Sequence, residues 1–200
     1  MKRATLLLML ILSGSFTLLP GCAATPPNIQ EYLLRTEPPV SPGVARTNDK
    51  GNVILKPIWV APYLDRRGIV VETASNQLTE ARYQIWAEPL TTALRRVLQV
   101  TIGQSTERSV RVDHVAEDAL SVAVDVQIFR FHGDLDGNVT LVAEWILSAA
   151  GSTGTRYQFS RSQRTSTEGY DGLVDTYLQL ANQLGNTIGD SIKRFPQPGR

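Results

Sequence analysis

Few residues in this chain have the type and spacing that chemistry requires. Asp134, Asp136 and Asn138 alternate as the first ligands of a calcium loop do. Such a loop needs a glycine at its sixth position and a bidentate glutamate at its twelfth to complete the oxygen shell. Here Gly137 is fourth and Trp145 is twelfth, so the segment reads as a hairpin turn. His114 and His132, the two histidines, have no partner at a metal-ligand spacing. No Gly-x-Ser-x-Gly elbow is present to expose a nucleophile. Beyond Lys2 the lysines are Lys50, Lys56 and Lys193, none within a phosphate-binding loop. The residues therefore predict no enzyme, no metal and no cofactor.

One reactive group remains, the thiol of Cys22, the single cysteine of the chain. Without a second cysteine a monomer has no disulfide and no cysteine-ligated zinc. What precedes Cys22 gives the thiol another use. Lys2 and Arg3 are followed by an apolar run from Ala4 to Leu12 and by small residues, the layout of a secretory signal. The run is short of the roughly 20 apolar residues that span a bilayer. Leu19-Pro20-Gly21-Cys22 resembles the lipobox of bacterial lipoproteins, with Pro20 where alanine or serine is commoner. In that motif a small residue admits the peptidase and the thiol accepts a diacylglyceryl group. Each buried methylene contributes about 0.8 kcal/mol, so a three-chain lipid on Cys22 makes a lasting anchor. Residues 1–21 are thus read as a signal peptide and residues 22–28 as a lipidated, proline-containing tether.

Cleavage would leave residues 22–200, which is 200 − 21 = 179 residues, enough for one domain with its own core. Without Lys2 and Arg3 the 20 basic residues become 18 against 19 acidic ones, a side-chain charge of −1. That balance disfavours nucleic acid as a partner. No basic run is present to bind a membrane surface, which leaves that work to the anchor.

The elements follow from periodicity. Residues 29–35 read weakly as a strand, and the proline-containing stretch 36–50 as a loop. Residues 53–60 read as a strand despite Pro57. Residues 69–73 and 77–84 pair through a turn at Ser75-Asn76. Pro89 opens a helix whose Leu90, Ala93, Leu94, Val97 and Leu98 share one face. Leu120, Val122, Val124, Val126 and Ile128 alternate with more polar residues, as in a half-buried strand. Val139, Leu141, Ala143, Trp145 and Leu147 line the strand that returns after the Asp134–Asn138 turn. A further turn at Gly151–Gly154 leads to a third strand over 155–165. The final helix, about 170–194, carries a stripe of Leu173, Tyr177, Leu180, Ala181, Leu184, Ile188 and Ile192, with Lys193 and Arg194 suited to its negative end. Gly185 and Gly189 lie four apart on it, a spacing that suits close helix packing. The pattern predicts one α+β domain over 29–196, a mainly antiparallel sheet with two helices packed on one face.

Several of these segments also carry a family likeness. Tyr63-Leu64-Asp65-Arg66, Ile69-Val70, Asn76-Gln77-Leu78 and Trp86-Ala87-Glu88-Pro89-Leu90 occur in that order. With Tyr32-Leu33-Leu34, Ala143-Glu144-Trp145-Ile146-Leu147 and Gly169-Tyr170-Asp171 they resemble the PqiC/YmbA family across nearly the whole mature chain. Ile85 and the Arg66-Arg67 pair depart from its usual pattern. The family comprises auxiliary lipoproteins of ABC-type, MCE-linked transport systems. The resemblance implies a non-enzymatic component on the periplasmic face of the outer membrane, docking to an MCE-domain partner and supporting envelope integrity. It also implies a possible homo-oligomeric ring. Ala23 after the lipid cysteine, in place of an aspartate, agrees with outer-membrane sorting. Tyr63, Leu64, Trp86, Glu88, Pro89 and Leu90 are then either packing or partner-contact residues. Two alternatives are a carrier that itself holds a lipid or small apolar ligand, and a periplasmic hydrolase. The carrier would need an apolar pocket between sheet and helices.

Overall fold

The longest strand organises the molecule. A computed structural model describes residues 28–36, 51–112, 121–150 and 153–196. Cys22, the signal, most of the tether, the loop over 37–50 and His114 lie outside them. The strands are β1 (Gln30–Tyr32), β2 (Val53–Leu55), β3 (Trp59–Val60), β4 (Gly68–Ala74), β5 (Gln77–Trp86), β6 (Val110–Val112), β7 (Val122–Asp134), β8 (Asn138–Ala149) and β9 (Thr155–Arg164). The helices are α1 (Leu90–Thr106) and α2 (Gly169–Arg194), with a short 3-10 turn at Pro62–Leu64.

On one side of β7 the meander forms as the alternation predicts. β8 pairs antiparallel with β7 along its length, and β9 pairs antiparallel with β8. In β8 every second residue, from Val139 to Ala149, is buried. On the other side of β7 the chain lays down β2, β3 and β4 in succession, all parallel to it. β1 runs parallel to β5, and β6 parallel to β2; of this half only the β4–β5 hairpin is antiparallel. The α+β class holds, but the sheet is mixed, not mainly antiparallel. Alternation marks a strand without giving its direction. Tight turns impose antiparallel pairing only between sequence neighbours, and these short pieces reach their partners through longer connections.

The expected strand over 53–60 is interrupted. Pro57 has no N–H to give the ladder, so β2 and β3 are separate pieces of one line along β7. Lys56 N still donates to Val124 O at 2.9 Å and Ala61 N to Ile128 O at 2.8 Å. From Val53 to Trp59 is six residues, against five from Val122 to Gln127, so one extra residue is accommodated around the proline. Sequence reasoning missed β6, whose three residues are too few for a period.

Both helices contribute to a single core with the inner sheet face. α1 buries Leu90, Ala93, Leu94, Val97, Leu98 and Ile102, and α2 buries its predicted stripe. The helices meet where side chains are smallest. A Cβ on Gly185 would stand 2.7 Å from Thr101 Cβ, and one on Gly189 would collide with Ser105. Thr101 Oγ1 donates to Asn182 Oδ1 at 2.8 Å across the same contact. Trp145, 2% exposed, fixes α2 to β8 by donating its indole N–H to Ser191 Oγ at 3.0 Å.

Candidate functional site

The six motif residues fall at two places. Tyr63 and Leu64 occupy the 3-10 turn between β3 and β4. Leu64 is buried in the core, while the half-buried Tyr63 donates its hydroxyl to Phe129 O at 3.0 Å. Its ring stands edge-on to His132, with centroids 6.0 Å apart. Burial pushes the Tyr63 hydroxyl above its usual value; the Arg130 charge opposes that shift and Glu72 adds to it.

Trp86 ends β5, and its backbone N–H donates to Arg67 O at 2.7 Å, tying β5 to the segment that carries Tyr63. Ala87 N donates to Tyr32 O at 2.8 Å, which joins β1 to the same junction. Glu88 takes a two-pronged hydrogen bond from Arg96 on α1, at 2.8 and 2.5 Å. Pro89 is the N-cap of α1, where its carbonyl accepts from Thr92 N and Ala93 N. Leu90 is the first buried residue of the helix.

The second place packs on Tyr177 of α2, which sequence reading places only as one member of an apolar stripe. Trp86 meets its ring edge-on at 5.4 Å, and Phe131 does so at 4.5 Å. The Tyr177 hydroxyl accepts from Gly133 N at 3.0 Å and donates to Val70 O at 3.4 Å. Full burial drives its ionisation far above the usual range. Nothing in the spacing distinguishes this tyrosine from a leucine on the same face, so no sequence signal reveals the junction.

His132 is 5% exposed, on the strand beside this junction. Its Nδ1 lies 3.3 Å from Gly133 O and 3.9 Å from Glu72 Oε2. Burial is the largest influence and holds its pKa below the usual histidine value, against the pull of Gly133 O and Glu72. The imidazole is thus neutral at neutral pH, with no nucleophile among the described residues hydrogen-bonded to it.

Asp134 closes the β7–β8 hairpin on itself. Its Oδ1 accepts from Asp136 N at 3.0 Å and Asn138 N at 2.8 Å, and its Oδ2 from Asn138 Nδ2 at 3.0 Å. Burial pushes the carboxyl up, but these hydrogen bonds outweigh it and the pKa falls. A carboxylate committed to its own turn is not arrayed around an ion. Among the described residues no group of three histidine, cysteine or acidic side chains is placed to hold a metal.

An open groove of about 650 Å³ lies between this hairpin and the start of α2. Asp134, Asp136, Arg164, Thr167 and Glu168 give its walls a polar character. Among the described residues, core side chains pack between sheet and helices, so this open, partly polar groove differs from the apolar chamber that a lipid carrier needs. No described helix is long and apolar enough to cross a membrane.

Residues 32–189 match the family described as "ABC-type transport auxiliary lipoprotein component". The Intermembrane transport lipoprotein PqiC of Escherichia coli (strain K12) is 30% identical over 183 residues, covering 89% of this chain and 94% of that protein. Its counterpart in Shigella flexneri gives the same figures. Among solved structures, one described as an uncharacterized protein superposes with a TM-score of 0.69 at 23% identity, covering 83% of this chain and 99% of its own. A Xanthomonas campestris protein does so with a TM-score of 0.61 at 16% identity, covering 82% and 93%. These two share the fold. By sequence, over most of its length, the chain belongs to the family of ABC-type transport auxiliary lipoprotein components.

Proposed function

We propose that the protein is a non-enzymatic docking component of an intermembrane lipid transport system, held by lipid on Cys22 to the periplasmic face of the outer membrane. The observation that carries this reading is the likeness to PqiC, an intermembrane transport lipoprotein, along nearly the whole of both chains. The geometry supports it in two ways. The motif residues build a rigid junction of β5, β1, α1 and the Tyr63 turn, not a cleft with reactive groups. The polar groups of the neighbouring groove include an Asp134 carboxylate already satisfied within its own hairpin.

In this reading an MCE-domain protein is the partner, and copies of the domain gather around it as a ring. Loss of the protein then weakens the envelope. Crosslinking in living cells followed by isolation of the lipidated chain should recover an MCE-domain protein. Crosslinked complexes that contain none would sink the proposal. Mass measurement of the isolated protein should show acyl chains on the residue that becomes its N-terminus, Cys22.

A further inference from the structure

The outer face of the sheet carries an aromatic pair that the fold leaves uncovered. Trp59 on β3 and Phe129 on β7 stand with ring centroids 5.6 Å apart. They are 45% and 39% exposed, whereas the next residues toward the core, Val60 and Ile128, are 7% and 0% exposed. The rings therefore point away from the helices. Phe129 falls in a bulge between Ile128 and Arg130 that leaves it and Arg130 both exposed. Bulges re-aim side chains in this way. The Tyr63 hydroxyl, bonded to Phe129 O at 3.0 Å, pins the bulge in place.

Exposed cations lie on the segments that carry or adjoin the pair. Arg130 adjoins Phe129, and Arg66 and Arg67 follow the Tyr63 turn. Arg67 has a long ion pair with Glu31 at 3.7 Å, while Arg66 and Arg130 form none with other described residues. Asp65, Glu31 and Glu72 are acidic residues on the same segments. The sequence has no basic run, but folding sets Arg130 beside the rings and holds the Tyr63 turn, which Arg66 follows, against the bulge.

We propose that this face lies against the headgroup layer of the membrane to which the chain is anchored. This placement rests on the reading of Cys22 as the lipid-bearing residue. Tryptophan and phenylalanine bury apolar area at the boundary of headgroup and acyl chain, and the indole N–H keeps a polar partner there. Arginine forks onto phosphate oxygens. The patch is small, but a tethered domain rebinds at high effective concentration, so weak contacts suffice to orient it. The tether also has the length for it. Eight residues lead from Cys22 to Gln30, and at about 3.4 Å each they reach up to ~27 Å. β1 is separated from the line of β3 and β4 by two strand steps of about 4.8 Å each. Ile29, where the chain leaves for the anchor, is itself 57% exposed.

The test uses the lipidated full protein in vesicles of phosphatidylethanolamine and phosphatidylglycerol, with and without bromine on the acyl chains. Of the three tryptophans, Trp86 and Trp145 are 6% and 2% exposed, so bromine reaches Trp59 alone. The expected result is loss of about one third of the tryptophan emission, one indole of three. Trp59→Phe should float with the vesicles as before and lose that quenchable share. Flotation without quenching overturns the placement and leaves the anchor standing. Failure to float overturns the anchor, and the placement with it. Emission that bromine leaves untouched but an added periplasmic partner protein changes also overturns it, and makes the face a protein interface.

Discussion

Tyr177 on α2 accepts a hydrogen bond at 3.0 Å from the backbone N–H of Gly133 on β7, in full burial. This bond fastens a helix to the strand that pairs with four others, and it stands beside Trp86, whose ring meets that of Tyr177 edge-on. Removing the hydroxyl leaves a buried N–H without an acceptor, a loss of about 1–3 kcal/mol. Tyr177→Phe should therefore lower the unfolding free energy by that amount in urea titrations. Tyr63→Phe removes an exposed hydroxyl from Phe129 O and should cost less. Equal effects of the two substitutions would count against the junction as a point of stability.

Gly185 offers a test of the helix contact. Alanine there gains up to about 1 kcal/mol in helix propensity. Its Cβ, however, must enter space 2.7 Å from Thr101 Cβ, and overpacking costs about 1–3 kcal/mol. The expected outcome of Gly185→Ala is a lower melting temperature. A higher one would show that α1 and α2 separate at little cost.

His132 gives the stability a pH dependence of known sign. Burial holds its folded pKa below its ordinary 6.5. As pH falls, the unfolded chain takes up the proton first, so stability drops below about pH 6.5 and continues to drop until the folded pKa is passed. The stabilising neutral form is fully present above that range. Glu72, Arg130, Asp134 and Tyr63 face the imidazole and are unchanged in His132→Gln. That variant should show a flatter fall in urea midpoint between pH 8 and 5 than the wild type. Parallel curves would exclude His132 as a source of the dependence.

Cys22→Ser should leave the circular dichroism spectrum and melting temperature of the domain unchanged, because the described core is complete without that residue. Cell fractionation should move the protein from membrane to soluble periplasm, with loss of function. Full activity of a soluble Cys22→Ser protein at native abundance would refute the anchor as part of the mechanism.

The meander and both helices were legible because each carries its own period. Val122 to Ile128 and Val139 to Leu147 alternate, and Leu90 to Leu98 repeat at helical spacing. The parallel half of the sheet was not, since nothing within residues 53–55 or 110–112 specifies partners that far along the chain. Pro57 was visible as a breaker, yet the resumption at Trp59 depends on the edge β7 offers. At the site, the motif residues could be quoted in order, but the packing of Trp86 on Tyr177 is a property of three dimensions. The Phe129–Arg130 bulge shows the same limit: nothing in the alternation before it announces it, and the Tyr63 that binds it lies 66 residues earlier.

The way β7 acquires its second edge bears on how the chain comes together in time. Val53 waits for Val122, 69 residues later, and Val71 waits for Gly133, 62 residues later. A chain delivered amino terminus first can close the β4–β5 hairpin at once, but β3 and the β7-facing edge of β2 stay unpaired until the centre of the sheet emerges. Such non-local closure is slow compared with the hairpin and helices, and open strand edges attract wrong partners meanwhile. The interval between the emergence of residue 53 and that of residue 134 is therefore when the open edges of this sheet are most exposed to wrong pairing.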